Sequence, residues 1–181
     1  MPFRRRTIGW WSPDPRGVLP LDALVVSRSL RRSQKRYEVR IDTAFEEVIH
    51  TCAELPRPHG WINTEIVDAY VRLHRLGLAH SYETWQDGRL VGGLYGVELR
   101  GLFAGESMFH EATDASKVAL CTLVEVARER GLRLLDVQWS TPHLRSMGVT
   151  EIPRRRYLEL LGDALEMSAP PFSGGPATPP R

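Results

Sequence analysis

The strongest pattern in the chain is the alternation of apolar and polar residues on both sides of Asp87-Gly88. Asp-Gly between two such runs is the best short-range signal for a β-hairpin with a two-residue turn. A third alternating run follows Arg100-Gly101, so residues 81–109 are predicted to form three antiparallel strands. Glycines interrupt the second run, where they usually mark a bulge or a close approach of backbone or ligand.

Elsewhere, apolar residues mostly recur at helical spacing between capping residues and glycines. This pattern predicts helices at residues 43–53, 64–76, 114–130, 141–147 and 153–165, the first of them opened by a capping box of Thr43 and Glu46. Short apolar runs predict further strands at Leu24–Ser29, Tyr37–Ile41, Leu132–Gln138 and Val149–Ile152. Residues 1–20 are expected to be irregular, and Leu30–Arg36 to be a basic linker.

The order of these elements predicts the fold class. Three antiparallel strands followed by a helix, a strand and further helices suit an α+β domain with a mixed sheet of the acetyltransferase-like (GNAT-like) type. We divide the chain into a short, basic N-terminal segment at residues 1–42, the acetyltransferase-like domain at 43–166, and a disordered Pro/Gly-rich tail at 167–181.

Composition narrows the class of protein. The hydrophobic share of 42% and the charged share of 25% are typical of a soluble globular protein. No apolar run approaches the roughly 20 residues that span a bilayer, and the N-terminus lacks the apolar core of a secretory signal. Two cysteines, Cys52 and Cys121, are too few for a disulfide framework. We therefore expect a cytoplasmic protein without membrane contact, and nothing in the sequence demands more than a monomer.

The net charge of +2 conceals an uneven distribution. Residues 1–40 contain nine Arg and one Lys against three acidic residues, a net charge of +7, and the remainder is acidic. Such a basic N-terminal segment favours binding to a polyanion such as RNA. The alternative is a solvated arginine-rich surface, since Arg replaces Lys almost throughout the chain.

Three segments carry candidate chemistry. In LLDVQ, strand alternation places Asp136 and Gln138 on one face at a strand end, where an acid either serves a site or caps locally. Strand alternation predicts that Glu106, within the apolar run LFAGESMF, shares one strand face with Met108. Glu106 would then be a polar anchor beside an apolar pocket or an edge-strand residue that reaches solvent. The paired tryptophans of WWSPDPR can wall an apolar or base-stacking site, or pin the N-terminal segment to the body.

Several classes of cofactor site have no signal in the sequence. The histidines do not have metal-ligand spacing, and there is no phosphate-binding Gly-rich loop. The segment HEATDAS before the long helix also lacks the turn that would hold the pyrophosphate of coenzyme A. We therefore predict that no cofactor and no metal take part.

Several motifs, in order along residues 9–161, resemble the leucyl/phenylalanyl-tRNA–protein transferase family. They are WWSPDPR, SRSLRR, RRSQKRY, HSYETWQDGRLVGGLYGV, GESMF, DASKVAL, LDVQ and EIPRRRYLELL. The resemblance implies an aminoacyltransferase that moves Leu or Phe, with Met as a third candidate, from aminoacyl-tRNA to the N-terminal amine of proteins that begin with Arg or Lys. That transfer would mark the acceptors for N-degron proteolysis.

The resemblance also implies roles for individual residues. The aminoacyl pocket would map onto Trp11, Leu94, Phe103, Met108 and Leu135, and the family's site residues onto Trp85, Glu106, Asp136 and Gln138. We hypothesise that Asp136 and Gln138 handle the attacking amine, Asp136 either as a general base or as an electrostatic anchor, and that Glu106 holds the donor's ammonium group. Contacts to tRNA phosphates would come from Arg4–Arg6 and from Arg28, Arg31, Arg32, Lys35 and Arg36.

The chain departs from the family in two respects, the segment WSTPH after LDVQ and the N-terminus. Members usually carry an N-terminal extension ahead of WWSPDPR, with GGDL-type and FPW-type motifs, so we expect that small domain to be missing or reduced here. Two other functions fit the same fold: a CoA-dependent N-acyltransferase, and a non-catalytic RNA-binding module.

Overall fold

In the computed structural model, which describes residues 2–4, 7–8, 11–56 and 60–168, the chain folds around one large sheet. The strands are β1 (Pro2–Arg4), β2 (Thr7–Ile8), β3 (Arg16–Val18), β4 (Glu38–Ile41), β5 (Ala79–Gln86), β6 (Arg89–Leu99), β7 (Leu102–His110), β8 (Leu134–Gln138) and β9 (Thr150–Ile152). The helices are α1 (Arg28–Gln34), α2 (Phe45–Glu54), α3 (Thr64–Arg75), α4 (Ala115–Glu129), α5 (Pro142–Arg145) and α6 (Arg154–Leu165). Leu21–Ala23 adds a turn of 3₁₀ helix.

Seven strands form a mixed sheet in the order β4-β5-β6-β7-β8-β3-β9, and β1 pairs with β2 separately. Every neighbouring pair in the large sheet is antiparallel except β7 and β8, which are parallel. The predicted mixed α and β fold is thus confirmed at this level. The predicted three-stranded core is confirmed as β5, β6 and β7. Asp87 and Gly88 both have positive φ, as a tight hairpin turn requires.

The two faces of the sheet bury different apolar clusters. One cluster includes Tyr82, Leu94 and Phe103 and lies beneath α4 and α1. On the opposite face, one cluster packs against α2 and α3 and another packs against α6. Because neighbouring residues such as Leu94 and Tyr95 belong to opposite clusters, strand alternation assigns each cluster to its face. The sheet face that carries α2, α3 and α6 is therefore covered by two separate apolar clusters.

The helix predictions are confirmed for α2 to α6, but the structure corrects the N-terminal part. The strand predicted at Leu24–Ser29 and the basic linker predicted after it are wrong, because Arg28–Gln34 is helical. The Ser27 hydroxyl caps this helix by accepting a hydrogen bond from the Leu30 amide, and Leu30 is buried. The short β-branched run before Ser27 favoured a strand, while the capping serine governs the local structure.

Residues 1–20 are not irregular throughout. Besides β1 and β2, the structure contains β3, which lies inside the large sheet between β8 and β9. A strand of three residues that contains a glycine has no detectable alternation, so the sequence pattern missed it. The division of the chain at residue 42 stays a prediction; β3 and β4 precede it and belong to the same sheet. The predicted tail lies mostly outside the described residues.

Helix α2 begins differently from the predicted capping box. Its N-cap residue is Ala44, and no side chain of the helix itself caps it. The buried carboxylate of Glu83 on β5 accepts hydrogen bonds from the amides of Thr43 and Ala44 instead, at 3.0 and 2.9 Å. The Thr43 hydroxyl also donates to Glu83. The negative charge needed at this helix N-terminus thus comes from the sheet.

Gly96 on β6 lies where the neighbouring strand β7 leaves no room for a side chain. A Cβ on Gly96 would lie 2.3 Å from the Ala104 carbonyl oxygen and 2.5 Å from the Phe103 ring. The Ala104 oxygen belongs to the backbone of the sheet and Phe103 is fully buried, so neither can move aside cheaply. The glycine that the sequence marked as unusual is therefore required by packing.

We expect Gly96→Ala to lower the free energy of unfolding by about 1–3 kcal/mol, the usual cost of overpacking a core. Chemical denaturation measures this change. The matched control is Gly162→Ala in α6, where an added Cβ meets no atom within 4 Å; it should gain roughly 0.5–1 kcal/mol from helix propensity. Equal stability of the Gly96→Ala variant and the wild type would contradict the packing account.

Candidate active site

Glu106 is the extra residue of a β-bulge. Tyr95 on β6 faces Ser107 on β7, but Gly96 faces Gly105, so Glu106 has no partner in this register. A bulge redirects a side chain and locally ends regular pairing, and bulges are frequent beside active sites. Glu106 consequently reaches Tyr70 on α3, whereas Met108 packs against the cluster beneath α4. The predicted sharing of one strand face by Glu106 and Met108 is therefore wrong.

Gln138 ends β8 in an unusual backbone conformation. Its φ is +64°, and the Trp139 amide donates a 2.7 Å hydrogen bond to the Val137 carbonyl across it. This bond between residues i and i+2 defines a γ-turn with positive φ at its centre, which is rare and strained for a residue other than glycine. The turn directs the Gln138 carboxamide towards β7.

The two parallel strands separate at this point. Pairing between β7 and β8 stops at Ala104 and Asp136, although β7 continues to His110. Beyond the last pair, the Gln138 side chain bridges the gap, with its Nε2 at 3.3 Å from both the Gly105 carbonyl and a Glu106 carboxylate oxygen. The separation opens the sheet between Glu106 and Gln138, and both side chains lie at this opening.

Asp136 lies at the base of the opening and is only 1% exposed. Its Oδ1 accepts hydrogen bonds from Arg16 Nε at 3.0 Å and from the Gln138 amide at 2.9 Å. Its Oδ2 accepts from an Arg16 terminal nitrogen at 2.6 Å and from the Tyr157 hydroxyl at 2.8 Å. Four donors on two oxygens leave this carboxylate without an accessible lone pair for a substrate.

Arg16 neutralises the buried charge of Asp136. Burial disfavours the charged form of Arg16, but the hydrogen bond and the charge of Asp136 outweigh it and raise the pKa of the guanidinium. The guanidinium carbon also lies 4.6 Å from the centre of the Tyr157 ring. Burial together with the adjacent Asp136 charge raises the pKa of Tyr157, so its hydroxyl stays protonated and donates.

Glu106 differs from Asp136 in having no cation bonded to it among the described residues. Burial raises the pKa of Glu106 above its usual range, and the charge of Asp136 adds to this shift. The hydrogen bonds from Gln138 and Tyr70 and the charge of Arg16 act in the opposite direction. A partly buried carboxylate of this kind favours a ligand that brings its own positive charge.

The residues predicted for the aminoacyl pocket do not all lie together. Leu94, Phe103 and Leu135 are buried in the cluster beneath α4, and Met108 packs against the same cluster. They lie on the sheet face opposite α3 and α6. Trp11 is 60% exposed.

Trp85 lies near the turn of the β5–β6 hairpin, where it pairs with Leu90. It packs with the cluster against α2 and α3, and the guanidinium of Arg40 stacks on its ring at 4.5 Å. None of its described contacts involves Glu106, Asp136 or Gln138. Its role as a site residue stays a prediction.

The basic residues predicted to bind tRNA are gathered by α1. Arg28, Arg31, Arg32 and Lys35 recur at helical spacing on one face, opposite the buried Leu30, and all four are exposed. Arg36 follows, also exposed, with a hydrogen bond to Ser33 at 3.2 Å. The predicted linker is therefore a preformed basic stripe. Of Arg4–Arg6, Arg5 and Arg6 lie outside the described residues.

Sequence reasoning missed three residues of the site: Arg16, Tyr70 and Tyr157. In the sequence, Tyr70 fits the apolar spacing of a helix, and Arg16 and Tyr157 lie in the separate segments WWSPDPR and EIPRRRYLELL. Arg16 is 120 positions from Asp136, so no local pattern could pair them. Within the described residues, no group of three His, Cys, Asp or Glu side chains converges as a metal site. None of the described helices has the length and apolarity to cross a bilayer.

Comparisons with known proteins agree with the motifs. The model of the family described as leucyl/phenylalanyl-tRNA protein transferase matches residues 18–162. A protein of that name from Herpetosiphon aurantiacus is 54% identical over 165 residues, which cover 90% of this chain and 85% of the relative. A second protein of that name, from Paramagnetospirillum magneticum, is 52% identical over 164 residues, which cover 88% of this chain and 78% of the relative.

A third relative of the same name, from Anaeromyxobacter sp. (strain K), is 56% identical over 162 residues, covering 87% of this chain and 70% of the relative. Among solved structures, L-PGS from Bacillus licheniformis matches 83% of this chain and 51% of its own length. Its sequence identity is 13% and its TM-score 0.46, so it adds nothing to the assignment. The family match spans most of the fold and every central residue of the site except Arg16. The chain belongs to the leucyl/phenylalanyl-tRNA protein transferase family.

Proposed function

We propose that this protein transfers Leu or Phe, and by size also Met, from aminoacyl-tRNA to the N-terminal amine of proteins that begin with Arg or Lys. The acceptors would thereby enter N-degron proteolysis in the cytoplasm. The observation that carries the proposal is the opening between β7 and β8. There, beyond the last β7–β8 pair, a carboxylate without a cationic partner in the described residues meets a bridging carboxamide.

The reaction is the aminolysis of an ester. A neutral acceptor amine attacks the carbonyl that joins the amino acid to the tRNA 3′ end, and an amide bond forms. The ribose oxygen leaves with the electron pair of the broken ester bond and takes up the proton that the amine releases. Because an α-amine has a pKa of about 8, an appreciable minority is already neutral near pH 7. The protein therefore acts mainly by holding the two reactants together.

Glu106 is the residue that we assign to the donor's α-ammonium group. Burial raises the pKa of this carboxylate, and the ammonium group would supply the directly bonded positive charge that its described contacts do not include. Tyr70 and Gln138 orient it from two sides. The buried hydroxyl of Ser107, next in sequence, has no partner within the described residues and is available for a further hydrogen bond to the substrate.

Asp136 acts in this proposal as an anchor and not as a general base. Its oxygens are occupied by Arg16, Tyr157 and the Gln138 amide, so proton transfer to it would break a neutralised, buried pair. Gln138 is then the group that meets the acceptor amine. Of the two residues predicted from LDVQ, Asp136 thus supports the site and Gln138 contacts the acceptor amine.

The donor's side chain would enter the gap between the separated strands. Met108 and Leu94 face each other across β6 and β7, and Phe103 and Leu135 belong to the same apolar cluster, which would form the wall of the pocket. Such a wall admits Leu, Phe and Met and rejects charged side chains by desolvation. It distinguishes similar apolar side chains by only about 1–3 kcal/mol per methylene. Trp11 and Trp85 stay candidate walls of the pocket.

We also propose the acetyltransferase-like classification for residues 43–166, on the order of strands and helices in that part of the chain. The basic stripe of α1 would hold the tRNA through its phosphates, which gives affinity without sequence reading. Because the ester of the aminoacyl-tRNA already supplies an activated acyl group, the proposed enzyme needs no cofactor. We further propose that it acts in the cytoplasm as a monomer.

The direct test supplies labelled Phe-tRNA and an acceptor peptide that begins with Arg. We expect labelled Phe at the peptide N-terminus, and no product with a peptide that is identical except for an acetylated N-terminus. Acetyl-CoA as donor should give no acetylated peptide. Acetyl transfer without Phe transfer would contradict the proposed function.

The raised pKa of Glu106 predicts a pH-dependent cost in stability. Between the unfolded and folded pKa values only the folded protein binds the proton, so the free energy of unfolding falls as the pH rises through this interval. Glu106→Gln should therefore be more stable than the wild type at about pH 7 and equally stable below about pH 4, where both states are protonated. Denaturation at the two pH values measures the difference.

The control for Glu106 is Glu54→Gln, which replaces an exposed carboxylate. It should change stability little at either pH. A destabilised Glu106→Gln variant at neutral pH would mean that the carboxylate is already compensated in the free protein.

The basic stripe predicts a salt effect on tRNA binding. Replacing Arg28, Arg31 and Arg32 by Gln should flatten the slope of log K against log salt by up to about 3, one for each lost phosphate contact. Filter binding over a salt series measures it. Replacing Arg72, Arg75 and Arg133 makes the same charge change at exposed positions outside α1 and should leave the slope unaltered. A steep slope retained by the α1 variant would place the tRNA elsewhere.

A further inference from the structure

The strained turn at Gln138 needs an external support, because glutamine does not favour positive φ. The turn lies at the end of β8, after pairing with β7 has stopped, so β7 supplies no ladder hydrogen bond to it. The described contacts that fix it come from β3 and from Asp136. The turn is therefore supported from the β3 side of β8, whereas the gap lies on the β7 side.

Arg16 supports the turn through Asp136. The guanidinium fixes both oxygens of the carboxylate, and Oδ1 in turn accepts the Gln138 amide at 2.9 Å. Tyr157 holds the other oxygen at 2.8 Å. The backbone nitrogen at the centre of the strained turn is thus bonded to a carboxylate that two side chains hold in place.

Gly17 supports the same turn by lacking a side chain. It lies opposite Gln138 in the register of β3 and β8, where the register shifts by one residue. A Cβ on Gly17 would lie 2.9 Å from the carbonyl carbon of Trp139 and 3.1 Å from the amide nitrogen of Ser140. Both are backbone atoms, so a side chain here would displace the turn itself.

We propose that Arg16 and Gly17, consecutive residues of β3, are positioning residues that hold the Gln138 turn and thereby aim its carboxamide into the gap beside Glu106. Arg16 acts through Asp136, and Gly17 acts by allowing β3 to lie against the backbone of Trp139 and Ser140. This inference rests on the proposed function of Gln138 in meeting the acceptor amine. It assigns a role to two residues that touch neither substrate.

The decisive experiment is a double-mutant cycle of Gly17→Ala with Gln138→Ala, read out as kcat and KM for Phe transfer. Gly17→Ala should lower kcat on the order of a hundredfold, the effect of a displacement of about 1 Å, and leave KM for tRNA unchanged. On the Gln138→Ala background the same substitution should cost almost nothing, because no carboxamide is left to misplace. Gly162→Ala, in open space on α6, is the matched control and should keep wild-type kcat.

Equal losses from Gly17→Ala on both backgrounds, or wild-type kcat in the single variant, would overturn the inference. If Gly17→Ala does not fold, Arg16→Met replaces it in the same cycle with the same expected results. Arg16→Lys should recover only part of the loss, because a lysine ammonium cannot donate to both carboxylate oxygens in the planar geometry of Arg16.

A second readout requires no turnover and separates this inference from the proposed function. The Gln138 amide resonance in a ¹⁵N–¹H spectrum should shift in Gly17→Ala and stay unchanged in Gly162→Ala. A wild-type protein that transfers no Phe would reject the proposed function, while the shifted resonance would still support the positioning of the turn. An unshifted Gln138 amide in a folded Gly17→Ala variant would reject the inference directly.

Discussion

The site depends on one buried ion pair, in which Arg16 holds Asp136 through two hydrogen bonds. A carboxylate this deeply buried is stable only when it is paired and its lone pairs are satisfied, and removing one partner of such a pair costs about 3–5 kcal/mol. The pair joins β3 to β8, and Tyr157 adds α6 to the same network. Because Asp136 is committed in this way, Glu106 is the carboxylate left to interact with a substrate.

Much of the fold could be predicted from the sequence, because strong local signals coincide with the observed elements. Asp87-Gly88 specified the hairpin through its requirement for positive φ, and Asn63 and Thr141 cap the predicted helices with their side chains. The candidate acids Glu106 and Asp136 were also found in sequence, because a carboxylate in an apolar run is costly without a purpose. The basic residues of α1 were identified by charge, although not as a helix.

What the sequence could not show are features that arise from long-range contacts. The bulge at Glu106 and the γ-turn at Gln138 depend on the register with neighbouring strands. Because side chains were assumed to alternate strictly between the two faces of the strand, Glu106 was assigned to the wrong face. Arg16 meets Asp136 only because β3, a three-residue strand without a pattern, inserts between β8 and β9. In the same way Glu83, and not Thr43 with Glu46, caps α2 from the sheet.

The central claim is that Glu106, and not Asp136, meets the ammonium group of the donor. The most direct measurement compares single-turnover transfer from Phe-tRNA and from a tRNA esterified with the deaminated analogue, using wild type and Glu106→Gln. The account predicts that deamination slows the wild type strongly and slows Glu106→Gln hardly at all, because the partner of the ammonium is already gone. Equal slowing of both proteins would contradict the account and place the donor's amine elsewhere.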